Sequence, residues 1–157
     1  MVGFSKQARR LARQRALQTL FQWEFQPAQR LAIPFAFEGQ SCTEDERQYA
    51  ERLVDGVLSH KSELDTIIGR YARGWTVERM PVVDRNILRC AIYELLWVPD
   101  VPAKVTINEA IELAKRFADE EAKRFINGVL DRILQEEPRL ERKRFELVHE
   151  PRSRVVS

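Results

Sequence analysis

Lys6, Arg9, Arg10 and Arg13 open the chain at spacings that place four cations within an arc of roughly 100° on a helix. No acidic residue precedes Glu24, so nothing in the same stretch neutralises them. A guanidinium offers a planar fork that matches phosphate and can stack on a base, and a helix start draws anions through its free amides. A second group, Lys123, Arg124 and Phe125, sets a ring beside two cations. Single-stranded nucleic acid is held by that combination, with a base on the ring and phosphates on the cations. Each group also has a plainer reading. The cations can be solvated surface, and Phe125 can be core, which the usual burial of aromatics favours.

Catalytic chemistry finds less support. His60 and His149 have no Cys or carboxylate cluster at metal-ligand spacing, and Asp84, Glu94, Glu109 and Glu112 read as solvated helical acids rather than an acid/base pair. The six glycines are scattered, with no phosphate-cradling loop. Cys42 and Cys90 cannot build a disulfide framework or a zinc site and read as inert thiols. The expectation is a binding protein, not an enzyme, with no metal and no cofactor. With 157 residues, 44% hydrophobic and 32% charged, the chain suits one helical domain. No apolar run approaches the ~20 residues that span a bilayer, and no signal peptide is evident, so no membrane partner and a cytoplasmic location are expected. The net charge of +2 hides a basic start and an acidic flank from Glu38 to Asp55.

The elements that must carry these residues follow from apolar periodicity. A first helix is expected over about Ser5 to Glu24, its basic half outside and its second half entering the core through Leu17 and Leu20, with Phe21 and Trp23 adding to that anchorage. The stretch Gln26 to Cys42, broken by Pro27, Pro34 and Gly39, reads as a loop packed down through Phe35 and Phe37. Thr43 with Glu46 signals a capping box that opens a helix to Ser59. Leu64, Ile67, Ile68 and Tyr71 mark a third, from Lys61 to Arg73 with Gly74 as its stop. After Pro81, VVDRNILRCAIYELLWV shows a wide apolar face and should be the central buried helix. Val101 to Leu134 reads as a helical pair, the first capped by Thr106 and Glu109, the second starting near Lys123. Gly128 inside that second helix suggests close packing or a backbone contact. Residues 1–137 form the expected domain, and 138–157 a charged, mobile tail.

Three blocks resemble one known family. DVPAKVTINEAIELAKRF with KRFINGVLD, ILRCAIYEL, and ARRLARQRALQTLFQ stand in the order and spacing of the NusB family of transcription antitermination factors. The resemblance is weak over Gln26 to Cys42 and absent in the tail. It implies an all-α fold of about seven helices in two packed bundles. It also implies binding of boxA-type RNA together with NusE, a small-subunit ribosomal protein, in an RNA polymerase antitermination complex on ribosomal RNA operons. Carried over by position, it gives the arginine-rich motif to Arg9, Arg10 and Arg13, the aromatic RNA contact to Phe125 beside Lys123 and Arg124, and a NusE-facing surface to Phe21 and Asp84. Leu11 stands where many relatives continue the arginine run, Phe21 where tyrosine is frequent, and Ala118 where glycine is common. Two other readings are a homodimeric helical scaffold and an RNA-binding domain related to that of RNA cytosine methyltransferases.

Overall fold

A computed structural model of the chain describes residues 6–25, 36–37 and 40–148. Among them are seven α-helices: α1 (Lys6–Phe25), α2 (Glu44–Ser59), α3 (Lys61–Tyr71), α4 (Val82–Trp97), α5 (Ala103–Phe117), α6 (Glu120–Glu136) and α7 (Glu141–Val148). Two-residue strands β1 (Ala36–Phe37) and β2 (Gln40–Ser41) pair antiparallel between α1 and α2. The expected packing of Phe35 lies outside the described residues.

Helix α4 is the centre, as its apolar face requires. It packs against α1, α2, α3, α5 and α6, while α1 pairs closely with α2 and α5 with α6, so that two bundles share it. Ile87, Leu88, Ile92 and Leu95 are buried, each side chain contributing about 1.5–3 kcal/mol through its removal from water. Gly56 on α2 is needed for that packing, because a Cβ there would lie 2.2 Å from Cζ of Tyr93. The Tyr93 ring is itself stacked on Trp97, and Trp97 on His60. Helix α2 begins with the expected capping box: the Glu46 amide donates to Thr43 Oγ1 at 3.2 Å and the Thr43 amide to Glu46 Oε1 at 3.0 Å. Helix α3 ends at Tyr71, and Gly74, at φ 81°, lies in the turn that follows, where the Trp75 amide donates to the Ala72 carbonyl.

Several expectations are corrected. Helix α5 starts at Ala103, one turn earlier than the Thr106–Glu109 signature suggests, and Thr106 is buried with its hydroxyl donating to Glu94 Oε1 at 2.6 Å. A buried acid on α4 has taken the hydroxyl that would otherwise cap. Helix α6 starts at Glu120, where the Asp119 carboxylate accepts from the Ala122 amide. Gly128 marks no tight helix approach, since a Cβ built on it meets nothing within 4 Å. Phe21 does not anchor α1 in the core; it is exposed.

Of the segment 138–157 expected as a charged, mobile tail, residues 138–148 are helical. A 3-10 turn over Pro138–Leu140 buries Leu140 and leads into α7. Lys143 is buried there, its ammonium donating to the carbonyls of Glu94 and Val98 at 3.1 and 2.9 Å. It thus caps the end of α4, where orphan carbonyls and the helix dipole favour a cation. Burial pushes that ammonium down to about 8. Residues 149–157 of the expected tail, with His149, lie outside the described residues.

Candidate nucleic-acid interface

The basic half of α1 faces α5 across an open groove of about 1060 Å³ whose walls include Lys6, Arg9, Arg10 and Arg13 from α1 and Asp100, Glu109 and Lys115 opposite. The four cations expected to share a face therefore do so, but three of them already face acids. Arg9 donates to Asp100 Oδ2 at 2.7 Å with its guanidinium 4.9 Å from the centroid of the Tyr49 ring. That pairing holds the Asp100 carboxyl below its usual range. Arg10 makes a two-pronged pair with Glu109, Nε and Nη2 donating at 3.1 and 2.7 Å. Lys6 is exposed.

Arg13 departs from the expectation of an exposed phosphate contact. It is 6% exposed and donates from Nε and Nη2 to the two oxygens of Glu94 at 2.9 and 3.1 Å. Tyr49 and Thr106 hydroxyls complete the shell of the same carboxylate at 2.7 and 2.6 Å. A buried charge is tolerable only when paired and fully hydrogen-bonded, and here α1, α2, α4 and α5 each supply one member. Burial, followed by the Glu94 charge, drives the Tyr49 hydroxyl pKa far upward. Two signals in the chain point to this centre. Arg13 is four residues before Leu17 and seven before Leu20, on the stripe that enters the core, and Glu94 is the lone acid in the apolar run CAIYELLW.

The second cluster sits elsewhere. Lys123 pairs with Glu120 at 3.0 Å, Arg124 is exposed, and Phe125 is half-buried. Phe125 packs on the core, and its ring meets Trp75 edge-on at 5.8 Å between centroids. Trp75 is 49% exposed and was not singled out from its sequence position. Thus Lys123, Arg124 and Phe125 are not part of the α1/α5 groove. Arg9 ties the start of α1 to Asp100, just beyond the end of α4, whereas Glu24 near its other end accepts from Arg85, Asn86 and Arg89 at the start of α4. Asp119, just ahead of α6, acts on Asp84 in the first turn of α4. The two clusters accordingly lie toward opposite ends of α4, a helix of 16 residues and about 24 Å.

The two residues expected to face a protein partner lie toward the Asp119 end. Asp84 is buried, and burial, followed by the Asp119 charge, raises its carboxyl above the usual range. Phe21 is exposed and packs on exposed Phe25, with ring centroids 5.0 Å apart. Burial pushes the Cys90 thiol up to about 12, so it is no thiolate nucleophile. Among the described residues no group of three or more His, Cys, Asp or Glu could hold a metal ion, and no helix is long and apolar enough to cross a membrane.

Comparison with known proteins gives this arrangement its context. The model of the NusB family matches residues 10–135. The transcription antitermination protein NusB of Myxococcus xanthus is 45% identical over 131 residues, covering 80% of this chain and 94% of that protein. The solved NusB of T. maritima superposes with a TM-score of 0.76 at 39% identity, covering 88% of this chain and 96% of that one. A crystal structure of the antitermination factors NusB and NusE in complex with double-stranded RNA superposes with a TM-score of 0.67 at 26% identity, covering 83% and 98%.

Proposed function

This chain belongs to the NusB family, and from that footing we propose that it is a transcription antitermination factor that binds boxA-type single-stranded RNA together with NusE. In this reading it supports processive transcription of ribosomal RNA operons by RNA polymerase, in the cytoplasm, as a binding protein and not a catalyst. The observation that carries the reading is the placement of Lys6, Arg9 and Arg10 along one open groove on α1. Cations so arranged can follow the phosphates of one strand. The solved relative holds NusE and double-stranded RNA. Single-stranded RNA is favoured here because Phe125 and exposed Trp75 suit an unstacked base. The antitermination protein of Myxococcus xanthus is matched over nearly its whole length, which supports this reading. Phe21, Phe25 and Asp84 are the proposed contacts to NusE.

Titration of a labelled boxA-type RNA with and without NusE tests the proposal. With Lys6, Arg9 and Arg10 each on a phosphate, log affinity should fall with log salt at a slope of roughly −2. An affinity that ignores salt, or no binding even with NusE, would refute it.

A further inference from the structure

The ion pair of Arg10 with Glu109 is lopsided. The arginine side chain is 60% exposed and the acid 12%. Glu109 is thus held in the groove wall, and Arg10 is the member that can leave by rotating its own side chain toward solvent. Glu109 also has a second cation in reach, Arg13 Nη1 at 3.7 Å. When Arg10 departs, the acid still faces a positive charge, so the cost of stranding a carboxylate is reduced. A carboxylate and a phosphate both present a pair of oxygens to the guanidinium fork.

We infer that Glu109 is an internal competitor for phosphate, an affinity-determining residue of the interface: RNA binds by exchanging Arg10 from Glu109 to a backbone phosphate. The inference rests on the RNA-binding reading above. A polyanion that reaches the groove finds the fork filled and gains from Arg10 only the difference between two similar pairings. A strand already held by Lys6, by the aromatic end or through a partner protein supplies its phosphate at high effective concentration and completes the exchange. Glu109 therefore keeps sequence-independent binding weak, and binding to the groove depends on contacts made elsewhere along the strand.

The test is a titration of one boxA-type RNA oligonucleotide with the wild type, Glu109→Gln, Arg10→Ala and the double variant, with thermal unfolding followed in parallel. Glu109→Gln should bind about two- to fivefold tighter, the gain expected from freeing a part-exposed ion pair. In the Arg10→Ala background most of that gain should vanish, because the acid acts through Arg10. Glu109→Asp, which keeps the charge but shortens its reach, should bind with intermediate strength and carries the test if the amide variant does not fold. Equal or weaker binding by folded Glu109→Gln overturns the inference, since Glu109 would then hold Arg10 in its binding pose. So does a gain that survives undiminished without Arg10. Failure of the wild type to bind RNA, with or without NusE, instead removes the RNA-binding reading, and this inference with it.

Discussion

Arg13 and Glu94 meet where water does not reach, each less than a tenth exposed. Removing one partner leaves the other charged and buried, a loss that costs about 3–5 kcal/mol. Arg13→Ala should therefore lower the urea midpoint strongly, while Lys6→Ala, at an exposed position, should leave stability within about 0.5 kcal/mol and weaken RNA binding instead. Normal stability of Arg13→Ala together with lost RNA affinity would return Arg13 to the interface. Gly128 makes a different case. It sits mid-helix with nothing for a Cβ to strike, so Gly128→Ala should stabilise α6 by up to about 1 kcal/mol. Gly128 is one turn beyond the exposed Arg124. If RNA backbone approaches α6 there, the same variant binds RNA more weakly although it melts later, and parallel melting and titration separate the two effects.

At the scale of elements, the joint between α1 and the start of α4 is proton-linked. Glu24 accepts from Arg85, Asn86 and Arg89, and the Arg85 hydrogen bond, with smaller contributions from Asn86 and Arg89, holds its carboxyl down to about 2 against burial. Because its folded-state pKa lies below the unfolded value near 4.5, the joint stabilises fully above that value, and the stabilisation is lost as pH falls toward 2. Glu24→Gln should flatten that part of the stability–pH curve, measured by thermal unfolding between pH 5 and 2.5. An unchanged slope would mean that other carboxylates carry the acid transition. Arg89, also bound to Asp65 of α3 at 2.8 and 3.0 Å, extends the same joint to three helices. The basic face of α1 is thus presented by a helix clamped to α4 near both ends.

For the whole molecule, the spacing between the two candidate clusters has a measurable consequence. One RNA that uses both must run roughly the length of α4, about 24 Å for its 16 residues, and Lys115 and Arg116 at the end of α5 lie beside the groove. Oligonucleotides too short for that span should bind through Lys6, Arg9 and Arg10 and be indifferent to Phe125→Ala. Longer ones should lose about 1–3 kcal/mol on the same change if the ring carries a base. Equal loss at every length would place a base on Phe125 independently of the groove, and no loss at any length would make Phe125 purely core.

What the chain determined alone was whatever depends on near neighbours. The 3.6-residue apolar rhythm, the Thr43 cap and the unbroken apolar face of α4 specify an all-helical protein around a central helix, because each rests on residues within a few turns of one another. The family blocks are legible for the same reason. Tertiary structure alone decided which cations remain available. The acids that meet Arg9 and Arg10 stand 91 and 99 residues away, and no local rhythm relates them. Pairing across that distance depends on how α1 settles on α2 and α4 and so comes to face Asp100 and α5. The apparently free basic helix of the sequence is, once folded, a row of arginines already facing carboxylates, with Lys6 left exposed at its start.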